Sequence, residues 1–209
     1  MVKVKICGIT NLPDAVFSVN EGADALGFNF YPKSPRYITP SAAAEVISSL
    51  PSEILLVGVF VNETIDNIVE IAASAGLNAV QLHGDEGPDF VRELRKVSDL
   101  KIIKALRVKP GFKPSDAEKY PADAILLDAF SASEYGGTGE TFDWEVAKSV
   151  KQFTKELLLA GGLTPENVAN AIRSVAPAAV DACSGLEKSK GVKDYAKIKA
   201  FMENARRKI

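Results

Sequence analysis

The chain has few of the residues on which several protein classes depend. Its 209 residues include two cysteines, too few for a disulfide framework, and one histidine, which excludes zinc sites built on two or more histidines. It has no run of 18 apolar residues, so we expect no membrane partner. Lysine and arginine number 25 against 27 acidic residues, a net charge of −2, and the absence of a basic block beyond the terminal Arg206-Arg207-Lys208 argues against a nucleic-acid partner. These absences favour a reduced, cytoplasmic globular protein.

The sequence alternates short apolar runs with amphipathic stretches from end to end. Eight runs are predicted strands, at residues 2–7, 25–30, 54–60, 79–83, 101–108, 124–128, 157–160 and 178–183. Runs such as 54–57 and 124–127 are apolar throughout, which is typical of parallel strands buried on both faces. We therefore predict an α/β fold in which eight strand–helix units close into a (β/α)8 TIM barrel, with residues 1–209 as one domain.

The alternative architecture is an open doubly wound sheet. Such a sheet has fewer strands and often carries a G-x-G-x-x-G fingerprint after the first one, whereas Cys7-Gly8-Ile9-Thr10 stands there in this chain. Predicted helices between the strands include residues 13–20, 43–50 and 65–75. A further helix is expected after Thr164, with Thr164 as N-cap and Pro165 at the first helical position.

Polar residues stand where the predicted strands end, and in a barrel these ends meet at one mouth. They are Cys7, Arg36, His83, Asp128, Asp181 and Ser184. Two glycine-containing turns, Gly161-Gly162 and Ser184-Gly185, follow the last two strands. Glycine lets backbone amides approach an anion, and these loops form the usual phosphate site of such barrels. Two ordinary turns are the simpler interpretation of the same residues.

Two of these residues have the chemistry of an acid–base pair. Asp128 ends a buried strand, where desolvation raises the pKa of a carboxyl and suits a general acid. Cys7 is a competent base if neighbouring charges lower the pKa of its thiol. The alternatives are an inert buried cysteine and a carboxylate that only caps a loop. Residues 131–141, a glycine-rich loop after Asp128, are expected to close over substrate as a lid.

Several motifs together resemble the phosphoribosylanthranilate isomerase family over nearly the whole chain. The matching segments are KICGIT at 5–10, GFNFY at 27–31 with SPR at 34–36, VGVFVN at 57–62, QLHGDE at 81–86, LLD at 126–128, GGTG at 136–139 with FDW at 142–144, LAGGL at 159–163 and DACSGLE at 181–187. The resemblance implies a (β/α)8 barrel and an Amadori rearrangement in tryptophan biosynthesis. N-(5-phosphoribosyl)anthranilate becomes 1-(2-carboxyphenylamino)-1-deoxyribulose 5-phosphate without a cofactor or metal.

The resemblance also implies a role for each candidate residue. Asp128 protonates the furanose ring oxygen as general acid, and Cys7 removes the proton from C2′ as general base. Arg36 holds the anthranilate carboxylate, while His83 and Asp181 line the site. The phosphate is held by Gly161, Gly162, Ser184 and Gly185. The only partner expected for this monomer or homodimer is the phosphorylated sugar.

Cys183 departs from the family pattern, which more usually has serine there. A thiol is a weaker hydrogen-bond donor than a hydroxyl. The first and last strands of a closed barrel are neighbours, so Cys7 and Cys183 are expected close together, where oxidation could link them.

Two other functions fit the same residues. One is a different phosphosugar isomerase, with His83 as electrophile and Asp128 as base, which does not need Cys7. The other is a non-catalytic barrel that binds a phosphorylated ligand without turnover.

Overall fold

Eight parallel strands form a closed barrel in the computed structural model, which describes residues 1–129 and 144–207. The strands are β1 (Lys3–Cys7), β2 (Ala25–Asn29), β3 (Leu55–Phe60), β4 (Ala79–Leu82), β5 (Lys101–Val108), β6 (Ala124–Ala129), β7 (Leu157–Leu159) and β8 (Ala179–Ala182). Each pairs with its neighbours in sequence, and β8 pairs with β1, with Lys5 opposite Asp181. The predicted (β/α)8 barrel is therefore confirmed.

Seven α-helices lie between or after the strands in the part of the chain that the structure describes. They are α1 (Leu12–Asn20), α2 (Pro40–Ile47), α3 (Ile65–Ala75), α4 (Pro88–Val97), α5 (Trp144–Val150), α6 (Val168–Val175) and α7 (Tyr195–Arg206). A 3-10 helix, Pro114–Lys119, takes the place of a helix between β5 and β6. No helix among the described residues is both long and apolar enough to cross a membrane.

The sequence did not predict the hairpin that follows β8. Its strands are β9 (Glu187–Ser189) and β10 (Val192–Lys193), which pair antiparallel before α7 begins. This hairpin places Glu187 and Lys193 against the barrel, where both side chains are buried. It therefore adds charged groups to the end of the barrel where the strands finish.

Helix starts follow the capping chemistry, with two corrections to the predicted bounds. The helix predicted at 43–50 is α2, which begins at Pro40 because the Thr39 hydroxyl accepts a hydrogen bond from the Ala42 amide. The helix predicted from Pro165 begins only at Val168. The residues before it form a tighter turn, in which the Asn167 and Val168 amides both donate to the Thr164 carbonyl.

Apolar side chains fill both faces of the sheet, because successive residues of a strand point to opposite sides. The barrel interior is filled by Ala25, Val57, Ala79, Ile103, Ala105, Ala124, Leu126, Leu158, Ala160 and Ala179. The opposite face packs against the helices, with Val4 and Ile6 of β1 as examples. Lys5 and Cys7 alternate with them on β1 and are also buried. Polar groups thus enter the barrel interior at the end where the strands finish.

Candidate active site

A cavity of about 380 Å³ opens at the carboxyl ends of the strands. It is of the size that small-ligand sites usually have. Eight of the nine predicted site residues line it: Cys7, Arg36, His83, Asp128, Gly161, Gly162, Asp181 and Ser184. Gln81 and Cys183, to which the sequence analysis gave no binding role, line it as well. The structure thus brings the thiol from β1 and the carboxyl from β6 to one cavity.

Gly185 is the exception, because it does not line the cavity. A Cβ atom at this position would lie 2.1 Å from the Leu163 carbonyl oxygen, so glycine is needed where the loop after β8 packs against the loop after β7. Gly161 and Gly162 do line the cavity, with φ angles of +81° and +62° that favour glycine. Gly185 therefore acts behind the cavity, by letting the two loops pack closely.

Lys5 and Asp181 form an ion pair inside the barrel, next to Cys7. The Lys5 ammonium donates to Asp181 Oδ1 at 2.9 Å, and both side chains are almost fully buried. A Cβ atom on Gly27 would lie 2.7 Å from the Cys7 sulfur and 3.1 Å from Lys5 Nζ. Glycine at position 27 therefore leaves the space in which the ammonium and the thiol approach each other.

The surroundings of Cys7 favour its thiolate. The largest influence on this pKa is the neighbouring Cys183 thiol, which itself donates to Glu187 Oε1 at 3.8 Å. Burial opposes ionisation, but the positive charges of Lys5 and Lys193 support it, and the pKa of Cys7 lies well below its usual value. The pKa of Cys183 is raised by the neighbouring Cys7 and by burial. Cys7 is therefore the thiolate of the pair and Cys183 the thiol.

Burial also shifts the pKa values of the two residues in the ion pair beside Cys7. It raises the pKa of Asp181 to about 6, with a smaller contribution from the negative charge of Cys7, although Lys5 opposes the change. Burial alone would lower the pKa of Lys5, but Asp181 and Cys7 outweigh it and hold that pKa above its usual value. Lys5 therefore remains charged at neutral pH.

Asp128 is held by a short chain of hydrogen bonds that ends at β4. His83 Nε2 lies 3.2 Å from Asp128 Oδ2, and Gln81 Nε2 lies 2.6 Å from His83 Nδ1. With the Gln81 amide donating to Nδ1, His83 carries its hydrogen on Nε2 and donates it to Asp128. Asp128 Oδ1 accepts from the Ala129 amide at 2.9 Å. The carboxyl is thus fixed at both oxygens.

Arg36 is buried and already paired with a carboxylate of this chain. Its Nε and Nη2 each lie 2.9 Å from an oxygen of Glu187, a bidentate arrangement that fixes the guanidinium plane. Lys193 lies behind the same carboxylate, with its ammonium 3.3 Å from Glu187 Oε1 and 2.6 Å from the Cys7 carbonyl oxygen. The hairpin after β8 therefore orients both Arg36 and the backbone of Cys7.

Sequence reasoning missed four buried polar residues of this site: Lys5, Gln81, Glu187 and Lys193. Three of them lie within the family-like motifs, whereas Lys193 carries no signal in the sequence. Residues 131–141, predicted to act as a lid, lie outside the described residues. Among those described, no group of three histidine, cysteine, aspartate or glutamate side chains is arranged to hold a metal ion.

Comparison with known proteins places this site in a family. A sequence model described as N-(5'phosphoribosyl)anthranilate (PRA) isomerase matches residues 4–204. The chain belongs to this family. A phosphoribosylanthranilate isomerase from Trichlorobacter lovleyi is 47% identical over 206 residues, which cover 99% of this chain and 98% of that protein. The isomerase activity predicted from the sequence, in tryptophan biosynthesis, is confirmed at the level of the family.

Solved phosphoribosylanthranilate isomerases share the fold of this chain. One structure, of monomers of the dimeric isomerase from Thermotoga maritima, is 44% identical with a TM-score of 0.84. Another is a complex with reduced 1-(o-carboxyphenylamino)-1-deoxyribulose 5-phosphate, also 44% identical, with a TM-score of 0.85. Each comparison covers 99% of both chains. The family therefore favours the isomerase over the other two functions considered from the sequence.

Proposed function

We propose that this protein catalyses the Amadori rearrangement of N-(5-phosphoribosyl)anthranilate, with Cys7 as general base and Asp128 as general acid. The observation that supports these roles is the single cavity, which a thiolate from β1 and a carboxyl from β6 both line. An acid and a base on different strands can act on different atoms of one substrate. A relative binds a reduced form of the expected product, which also supports this substrate.

The first step opens the sugar ring. Asp128 transfers its proton to the furanose ring oxygen, the bond from C1′ to that oxygen breaks, and a protonated Schiff base forms. The carboxylate that remains accepts the hydrogen bond from His83 Nε2. Gln81 keeps the hydrogen on that nitrogen by donating to Nδ1. In this role His83 and Gln81 position the acid.

The second step moves a proton from carbon. The Cys7 thiolate removes the proton from C2′, and the electron pair of the broken bond moves toward the Schiff-base nitrogen to give an enolamine. The enolamine then tautomerises to the ketone. Lys5 and Lys193 support the thiolate that this step requires. The buried charges around β1 thus supply an activated base.

The substrate carries two anionic groups, and the cavity has a place for each. Arg36 has one nitrogen, Nη1, that Glu187 does not engage, and we assign it to the anthranilate carboxylate. The phosphate is assigned to the backbone at Gly161 and Gly162 and to Ser184. Asp181 gives one oxygen to Lys5, and the other is assigned to a sugar hydroxyl.

A homodimer is one of the two assembly states expected from the sequence, and the dimeric Thermotoga maritima relative supports it. The monomer remains the other state. The cytoplasmic location is likewise a proposal that rests on composition.

The activity is tested by following the fluorescence of phosphoribosylanthranilate generated in situ. We expect Cys7→Ser and Asp128→Asn each to lower turnover by about 10²–10⁴-fold, the usual contribution of a general acid or base. Asp89→Asn is the matched control, because that carboxylate is exposed at the start of α4. Circular dichroism should show all three folded. Full turnover in either site variant would overturn the assignment of that residue.

A further inference from the structure

We propose that peroxide links Cys7 and Cys183 in a disulfide, which makes this pair an oxidative modification site that reversibly removes the catalytic base. The inference rests on the proposed function of Cys7. Both cysteines are reduced in the structure, and both line the cavity. They are the only two cysteines of the chain.

The backbone holds the two cysteines side by side. In the pairing of β1 with β8, Ile6 lies opposite Ala182. The residue after Ile6 is Cys7, and the residue after Ala182 is Cys183. Adjacent strands lie about 4.8 Å apart, which falls within the Cα separation of about 4.4–6.8 Å found in disulfides. The Lys193 ammonium lies 2.6 Å from the Cys7 carbonyl oxygen and 3.3 Å from that of Cys183. One buried lysine therefore ties the two backbones together.

The two side chains also line the same cavity. The Cys183 thiol donates to Glu187 Oε1 at 3.8 Å, and the same oxygen lies 3.3 Å from the Lys193 ammonium that contacts both cysteine carbonyls. Cys183 Sγ would lie 2.8 Å from a Cβ atom placed on Gly8, the residue that follows Cys7. Linking the two sulfurs therefore requires the Cys183 side chain to turn from Glu187 toward Cys7.

The two cysteines differ in the way that stepwise oxidation requires. A thiolate attacks peroxide, and a neighbouring thiol then resolves the product. The Cys7 thiolate displaces hydroxide from hydrogen peroxide and becomes a sulfenic acid, and one proton converts the hydroxide to water. The Cys183 thiol then attacks the Cys7 sulfur, a second water leaves, and the disulfide forms. Peroxide is reduced by two electrons, and the two thiols together lose two hydrogens.

The experiment treats the full-length protein with hydrogen peroxide and then measures the link and the activity separately. Trypsin should release residues 6–33 and 174–188, which carry Cys7 and Cys183. We expect mass spectrometry without reduction to find these two peptides joined within one chain. Turnover should fall by about 10²-fold or more in fully linked protein, since the base is lost. Dithiothreitol should restore both the free peptides and the turnover.

Cys183→Ser is the decisive variant. Its turnover after peroxide treatment is compared with its own turnover before treatment. Without the resolving thiol, Cys7 should proceed to sulfinic and sulfonic acids, and dithiothreitol should not restore turnover. The proposal fails if peroxide leaves wild-type thiols free, or if wild type and Cys183→Ser are oxidised and recovered equally. Because the link is detected by mass, failure of this inference is distinguishable from failure of the proposed function, which would show as no turnover in untreated protein.

Discussion

Replacing Lys5 by methionine tests whether the buried ammonium activates the thiol. Lys5 Nζ and the Cys7 sulfur both lie close to the position of a Cβ on Gly27, so the two atoms are within about 6 Å of each other. At that distance, and at an effective dielectric constant of about 20, the Coulomb interaction between the ammonium and the thiolate is roughly 3 kcal/mol. Removing the ammonium should therefore raise the pKa of Cys7.

Part of this effect should be offset by Asp181. Its pKa already stands at about 6 because of burial, and losing Lys5 should raise that pKa further until the carboxyl binds a proton at neutral pH. Neutralising Asp181 removes a negative charge that disfavours the thiolate. We therefore expect a net rise in the pKa of Cys7 that is smaller than the loss of the Lys5 charge alone would cause.

Alkylation measures this change without relying on turnover. The rate at which iodoacetamide carbamidomethylates Cys7 is measured at a series of pH values. The modified cysteine is quantified on the tryptic peptide of residues 6–33 in wild type and of residues 4–33 in Lys5→Met. The thiolate is the reactive form, so the acidic limb should move to higher pH, and the acidic limb of kcat/KM should move with it. Lys3→Met is the matched control, because it removes the same charge from the exposed start of β1.

Two results would refute this reasoning. If the alkylation profiles of Lys5→Met, Lys3→Met and wild type coincide, Lys5 does not influence the thiol. If kcat/KM falls equally at every pH, Lys5 acts through structure alone. Thermal unfolding accompanies both measurements, since breaking a buried ion pair commonly costs about 3–5 kcal/mol.

Two further substitutions examine the supports of the site. Gly185→Ala should weaken phosphate binding and raise KM, because its Cβ would lie 2.1 Å from the Leu163 carbonyl and force the two loops apart; an unchanged KM would contradict this. Lys104→Met should lower the free energy of unfolding by about 3–5 kcal/mol, since it leaves the buried Glu86 carboxylate without its counter-charge. Lys96→Met, which removes an exposed ion pair, should cost less than about 1 kcal/mol in the same denaturant titration, and equal losses would refute the contrast.

The barrel could be predicted from the sequence because its strands are short apolar runs that recur between helix signals. Helix bounds were less predictable, since they depend on local hydrogen bonds. At Thr164 the capping residue was recognised, yet the turn it forms delays α6 to Val168. The hairpin β9–β10 was missed because Glu187–Ser189 is short and largely charged, a pattern typical of a solvated loop. Its burial arises only when it packs against the closed barrel.

The location of the site could be predicted from the sequence, whereas the contacts between its residues were less predictable. The position of Cys7 and Asp128 at strand ends follows from the order of residues along the chain. By contrast, Lys5 and Lys193 are lysines, which are almost never fully buried unless paired. Their partners are distant in sequence: Lys5 pairs with Asp181, and Lys193 reaches back to the Cys7 carbonyl. Such contacts exist only once β8 has closed on β1.

The charges buried around the thiol explain why a thiolate is stable inside this barrel. Lys5 and Asp181 neutralise each other when both are ionised. Arg36 and Lys193 both pair with one carboxylate, Glu187. Cys7 lies among these positive charges, and Lys5 and Lys193 favour its thiolate over the protonated thiol. The hairpin after β8, which contributes both Glu187 and Lys193, therefore helps to set the ionisation state of a residue on β1.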